Sequence, residues 1–171
     1  MSETARQTLK MFYPISIKNI RQLKAGDLIQ YSGRVLLANE NTIDKYRMYE
    51  KLEGTPLLNL SREILFFCAS VETGLSQEPA DIDPDDLEYL FMSGVTATAG
   101  LDISDKEMFD IYRRFSRVNF SLCNRKVLSP VDTDREVPEE IECGLSVSLK
   151  DVLFFVDVSS SGEKFGGICD A

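Results

Sequence analysis

The chain has 171 residues, 43% of them hydrophobic and 27% charged, a balance that suits one folded domain and excludes a disordered chain. Its 28 acidic and 19 basic residues leave a net charge of −9, which repels a phosphate backbone, so no nucleic-acid partner is expected. The longest apolar runs, Ile64 to Ala69 and Val152 to Val158, fall far short of the ~20 residues that cross a bilayer, so no membrane partner is expected either. Met1 to Lys10 is polar and lacks the apolar core of an export signal, which points to the cytoplasm.

Residues 1–10 read as a flexible leader, 11–165 as one domain and 166–171 as a tail. Within the domain, Ser16 to Leu23 is a short helix opened by a Ser cap, and Lys24 to Asp27 is a turn. Leu28 to Ser32 and Val35 to Ala38 are strand-like and hinge at Gly33 as a bent or paired ribbon. Ile43, Tyr46, Met48, Tyr49 and Leu52 follow helical spacing over Thr42 to Leu52, with a stop at Gly54 and Pro56. Ile64 to Ser70 is a continuous apolar run, the pattern of a strand covered on both faces.

Helices are then expected from Asp83-Pro84 to Gly94, and from Ser104, where Glu107 completes a capping box. Val95 to Ala99, Val118 to Cys123 and Val152 to Val158 read as strands, and Glu163 to Phe165 as a short final one. Strand and helix alternate along most of the chain, which predicts an α/β fold with a mixed, partly parallel sheet.

Histidine is absent, so every Ser-His, Cys-His and His-ligated metal site is excluded, and acid–base work falls to carboxylates, Lys, Tyr or Cys. Cys68, Cys123, Cys143 and Cys169 stand far apart with no Cys-x-x-Cys pair, so they read as buried or incidental thiols and no metal site is expected. The acids of Asp81 to Asp86 lack the glycine and distal ligand of a calcium loop, and they suit a helix start. Arg113, Arg114 and Arg117 form a basic cluster that a carboxylate ligand could use, although cations are also favoured at a helix C-terminus.

The stretch from Pro14 to Gly33, with Ile20-Arg21-Gln22-Leu23-Lys24-Ala25-Gly26-Asp27 and a strand ending Ser32-Gly33, resembles the opening of a known domain. That domain is the β subunit, or C-terminal domain, of the iron-sulfur hydro-lyases that comprise class I fumarate hydratase and L-tartrate dehydratase. Glu53 to Pro56, Leu87 to Val95, and Lys150 to Val156 with Gly162 resemble later elements of that family, so the likeness runs roughly from Lys10 to Phe165. It implies a swivelling β/β/α domain with a mixed sheet. It also implies no cofactor in this chain, with a [4Fe-4S] cluster carried by a separate α subunit.

Departures fall on the family's chemical motifs. Its Ala-Arg-Asp-Ala-Ala-His element corresponds to Ala38-Asn39-Glu40-Asn41-Thr42-Ile43, so Asn39 stands for Arg, Glu40 for Asp and Ile43 for His. Its Gly-Pro-Thr-Thr-Ser loop has no counterpart in Glu72 to Glu78, and its Gly-Lys-Gly turn is Gly100-Leu101-Asp102. A dicarboxylate loses its guanidinium fork and its proton-transfer partner.

Three readings stay open: a diverged hydro-lyase β subunit acting on another substrate, a catalytically inactive partner or regulatory subunit, and a free-standing small-molecule-binding domain. Lyase activity is thus an expectation from resemblance only. A homo-oligomer is a further expected assembly. Any surviving site is expected at Asn39, Asn41, Thr42, Lys45 and Gly100 for substrate binding, with Glu40 the one candidate for catalysis. Asn39 to Thr42 fall where a strand meets a helix N-terminus, a place that receives anions and is equally suited to simple capping.

Overall fold

The structure, a computed structural model, describes residues 8–67, 80–123, 132–135 and 145–167. In chain order its elements are β1 (Thr8–Phe12), α1 (Ile17–Arg21), β2 (Leu28–Ala38), α2 (Glu40–Glu53), β3 (Ile64–Phe67), α3 (Pro84–Met92), β4 (Ala97–Ala99), α4 (Lys106–Phe115), β5 (Val118–Leu122), β6 (Asp132–Arg135) and β7 (Leu145–Val158).

Strands β1 to β5 pair in parallel in that order. The long β7 runs antiparallel to β5 on one side and β2 on the other, so β2, β3, β4, β5 and β7 close into a ring. β1 flanks the first half of β2, and β6 flanks the first half of β7. Helical crossovers carry the chain between parallel strands, as such pairing requires.

Alternation along each strand divides the core in two. Val35, Leu37, Ile64, Phe66, Ala97, Ala99, Val118 and Phe120 point into the ring, where they meet Val147, Leu149, Phe154 and Val156 of β7. Ile20 and Leu23 from α1 and its following turn belong to the same cluster. Leu36, Ala38, Leu65 and Phe67 point outward and pack under Ile43 of α2, Leu87, Leu90 and Phe91 of α3, and Met108, Ile111 and Tyr112 of α4. The layers are therefore antiparallel sheet, parallel sheet and helices, an α/β fold with a mixed sheet as expected. All four residues of β3 are buried, which explains why its sequence shows no alternation.

Several expected elements change on inspection. Leu28 to Ala38 is one strand rather than two, with a register shift between Tyr31 and Gly33 in its pairing with β7. Gly33 has φ 143°, and a Cβ there would stand 2.5 Å from the Tyr13 Cβ. Only glycine lets the two segments approach so closely. The expected capping box at Ser104 is absent: the N-cap is Asp105, and it makes no side-chain capping bond. The expected strand at Glu163 to Phe165 is an isolated bridge between Val158 and Lys164. Thr8–Phe12, partly within the expected leader, is β1. Cys123, expected as a free thiol, is disulfide-bonded, and Cys68, Cys143 and Cys169 lie outside the described residues. Among the described residues, no helix is long and apolar enough to cross a membrane.

Burial sets the alkaline limit of this fold. Tyr112 and Tyr31 are held far above the ordinary phenol range, chiefly by desolvation. Tyr89 is pushed up to about 12 by burial and then by its bond to Glu50, and Tyr13 is raised by burial and by its bond to Glu63. A folded-state pKa above the unfolded value of 10.0 gives stability that is complete below the unfolded value. That stability then drains as pH climbs through the folded values. Urea midpoints are expected to fall steeply above about pH 10, with phenolate absorbance of these four rings appearing together with unfolding. Their ionisation in a still-folded chain near pH 10 would contradict this.

Candidate functional site at the carboxyl edge of the parallel sheet

Asn39 lies at the carboxyl end of β2 and is the N-cap of α2. Its Oδ1 accepts from the Thr42 backbone N–H and from the Thr42 hydroxyl, each at 3.0 Å. Thr42 Oγ1 accepts from the Asn39 N–H at 3.1 Å. This is a reciprocal capping box, with Thr42 fully buried. A ligand that used either side chain would have to displace a cap worth about 1 kcal/mol. Glu40, Asn41 and Lys45 are exposed on the first turns of α2.

Gly100 lies at the same edge, just past β4, two strands from Asn39 and so roughly 10 Å away by strand spacing. Its φ is 80°, and a Cβ there would meet the Phe67 carbonyl oxygen at 2.6 Å. The following Leu101 turns inward: it is 2% exposed, in the core beneath the helices. Ile43 lies in that same core at 0% exposure. Ile43 and Leu101 are therefore packing positions. Glu72 to Glu78 lie outside the described residues.

Beneath the Gly100–Leu101 turn runs a buried polar chain that the sequence reading misses. The Tyr112 hydroxyl donates to Thr98 Oγ1 (2.6 Å), and Thr98 Oγ1 donates to Asn119 Oδ1 (2.8 Å). The Asn119 amide donates to the Leu101 carbonyl (2.9 Å) and to Asp157 Oδ2 (3.1 Å). Lys164 Nζ closes the chain on Asp157 Oδ1 at 2.6 Å. Thr98 has one proton, already given to Asn119, so Tyr112 must be the donor to it. An amide in the middle does not carry protons onward, so the chain positions the turn and does no acid–base work. Its only signal in the sequence is polar residues at outward strand positions: Thr98 between two alanines, Asn119 in β5, and Asp157 in an apolar run.

A second missed cluster sits at the opposite, amino edge. Glu63 is 3% exposed and accepts from Arg34 Nε at 3.1 Å, Arg34 Nη2 at 2.7 Å and the Tyr13 hydroxyl at 2.9 Å. This bidentate pair ties β2 to β3. Asp86 of the acidic run is likewise a structural acid, bonded to Arg47 Nη1 at 2.6 Å. A cleft of about 400 Å³ between α2 and α3, lined by Glu50, Pro56, Leu58, Tyr89 and Met92 among others, is distinct from the carboxyl edge.

No protein-family model matches the chain, and no curated protein does. Cys123, the one cysteine among the described residues, is in a disulfide and so cannot serve as a thiolate ligand. The described residues also contain no group of three or more Cys, Asp or Glu placed to hold a metal ion.

Proposed function

We propose that the chain is a diverged β-type subunit of an iron-sulfur hydro-lyase, acting with a separate cluster-bearing α subunit on a substrate other than fumarate or tartrate. One observation carries this reading. The β/β/α layering that the Pro14 to Gly33 resemblance implies is present, and it brings Asn39 to Thr42 and Gly100 to one sheet edge. Where parallel strands are joined by helical crossovers, in closed barrels as in open sheets, ligands are received at the carboxyl ends of the strands. Fold alone does not assign an activity, so the weight rests on that shared edge together with the quoted motifs. Glu40 at the edge disfavours a second carboxylate nearby, which suits a less anionic ligand than a dicarboxylate.

The second reading, a catalytically inactive partner subunit, is favoured by the burial of Ile43 and Leu101 and by the capping box. Both observations remove groups that a hydro-lyase edge would offer to substrate.

Anaerobic co-purification tests both. The tagged chain, isolated from its own cells, is expected to retain a protein that carries iron and acid-labile sulfide, and the complex is expected to show negligible fumarate hydration and tartrate dehydration. Recovery of the chain without an iron-sulfur protein overturns the subunit reading. Robust turnover of either acid overturns the substrate reading. In an active complex, insensitivity to Glu40→Gln and Lys45→Ala would move the site away from this edge.

A further inference from the structure

The cleft between α2 and α3 holds a carboxylate without a cation. Glu50, in the last turn of α2, accepts from the Tyr89 hydroxyl at 2.5 Å through Oε2. Its Oε1 has no partner among the described residues, and no Lys or Arg among them forms an ion pair with it. Other acids of the helical layer differ: Asp86 is paired with Arg47, Glu88 with Arg114 and Asp110 with Arg113. Burial, and then the bond to Glu50, push the Tyr89 phenol up to about 12. At neutral pH Tyr89 is therefore an uncharged donor, which leaves the Glu50 charge uncompensated. Arg47 stands 5.6 Å from the centre of the Tyr89 ring, but Asp86 neutralises it at 2.6 Å.

Most of the remaining lining is apolar. Tyr89 and Met92, three residues apart, share one face of α3, and Pro56, Leu58 and Leu60 come from the segment that leads to β3. Leu60 is buried whereas Met92 is 75% exposed, so apolar surface runs from the core out to solvent. Ser93 also lines the cleft. Its hydroxyl gives its proton to the Tyr89 carbonyl at 2.8 Å, so towards a ligand it can only accept. The volume of about 400 Å³ falls within the range of small-molecule sites, roughly 300–1,000 Å³.

We propose that this cleft binds a small organic ammonium, with its charge on Glu50 and its apolar body along Leu58, Leu60, Met92 and the Tyr89 ring, at a place separate from the carboxyl edge of the sheet. A carboxylate drawn partly out of water without a counter-charge is costly, and an ammonium supplies both the charge and the donors. If the Tyr89–Glu50 bond served only to tie α2 to α3, a neutral acceptor would do as well. Glu50→Gln therefore separates the two roles.

The probe is phenethylammonium, titrated into the full chain at neutral pH and fixed ionic strength and followed by calorimetry and amide NMR. Saturable binding is expected, with shifts centred on Glu50 and on Tyr89 to Ser93. Glu50→Gln should weaken it about tenfold or more, the loss of one charge-assisted contact, while its melting temperature without ligand stays close to the parent's. Met92→Lys, at an exposed position, puts a cation beside an intact Glu50 and should abolish binding. Phenethyl alcohol has the same body without the charge and should bind at least about tenfold more weakly. Absence of saturable binding in the parent overturns the proposal, as does undiminished binding by either variant. Equal binding of the alcohol would show a cleft with no preference for cations and overturns the ligand class.

Discussion

Asn119→Leu is expected to remove about 4 kcal/mol of stability, the largest effect of any single substitution considered, because three buried polar groups lose their partner at once. Leucine fills a similar volume, so packing is nearly conserved and the loss isolates hydrogen bonding. The Thr98 hydroxyl, the Leu101 carbonyl and one Asp157 oxygen all contact Asn119, and each buried orphan costs about 1–3 kcal/mol. Against a typical total of about 5–15 kcal/mol, such a variant loses from roughly a quarter to most of its stability. Thr98→Val should cost less, about 2 kcal/mol, since it strands only the Tyr112 hydroxyl and the Asn119 carbonyl oxygen. Urea titration followed by circular dichroism measures both. A loss under about 1 kcal/mol for Asn119→Leu would mean that the chain Tyr112–Thr98–Asn119–Asp157 contributes little to the fold.

Glu63→Ala is expected to cost about 3 kcal/mol, within the range found when one partner of a covered ion pair is removed. The carboxylate side chain is 4% exposed and that of Arg34 31% exposed, so water reaches part of the guanidinium and the cost stays at the lower end. The Tyr13 hydroxyl loses its acceptor as well. Two companion variants give the argument its direction. Glu63→Gln keeps an acceptor and should recover part of the loss. Arg34→Met combined with Glu63→Leu should be less destabilised than Glu63→Ala, because the pair is then replaced by apolar side chains of similar volume rather than broken on one side. Additive losses in the double variant would show that the pair is held together by packing and not by charge.

The core was largely legible in the sequence because it rests on patterns that burial imposes. Ile64 to Phe67 reads as a doubly covered strand and is one, and Asn39 to Glu53 carries both its cap and its stop at Gly54. Elements held by backbone pairing alone were not legible. β1 is mostly exposed and pairs with β2 only along one edge, so its side chains show no alternation to detect. The first half of β7, Leu145 to Lys150, does alternate strictly between apolar and polar residues, a strand signal present in the sequence but left unused. The cap at Ser104 failed for a different reason. Ile103 and Met108 are both buried in the helix-side core, and packing of these two sets the entry of α4 ahead of any local hydrogen bond. At the candidate edge, Asn39, Thr42 and Gly100 came from the resemblance; helical spacing had already set Ile43 on an apolar face, whereas nothing in the sequence told that Leu101 turns into the core. The Cys123 disulfide is likewise a product of the folded path, not of cysteine spacing.

Closure of the ring also governs when the chain can fold. Leu28 pairs with Phe155 and Leu36 with Ser146, so one whole edge of β2 waits for the last long strand to be made. Until β7 emerges from the ribosome, the apolar inner faces of β2 to β5 have nothing to close against, and pairing over such sequence distances is slow. A nascent chain at that stage presents both an open strand edge and uncovered Val, Ile and Phe side chains, the features that draw chaperones or seed aggregation. Yield in cells should therefore respond more sharply to truncation within Leu145 to Val158 than to loss of the residues before β1.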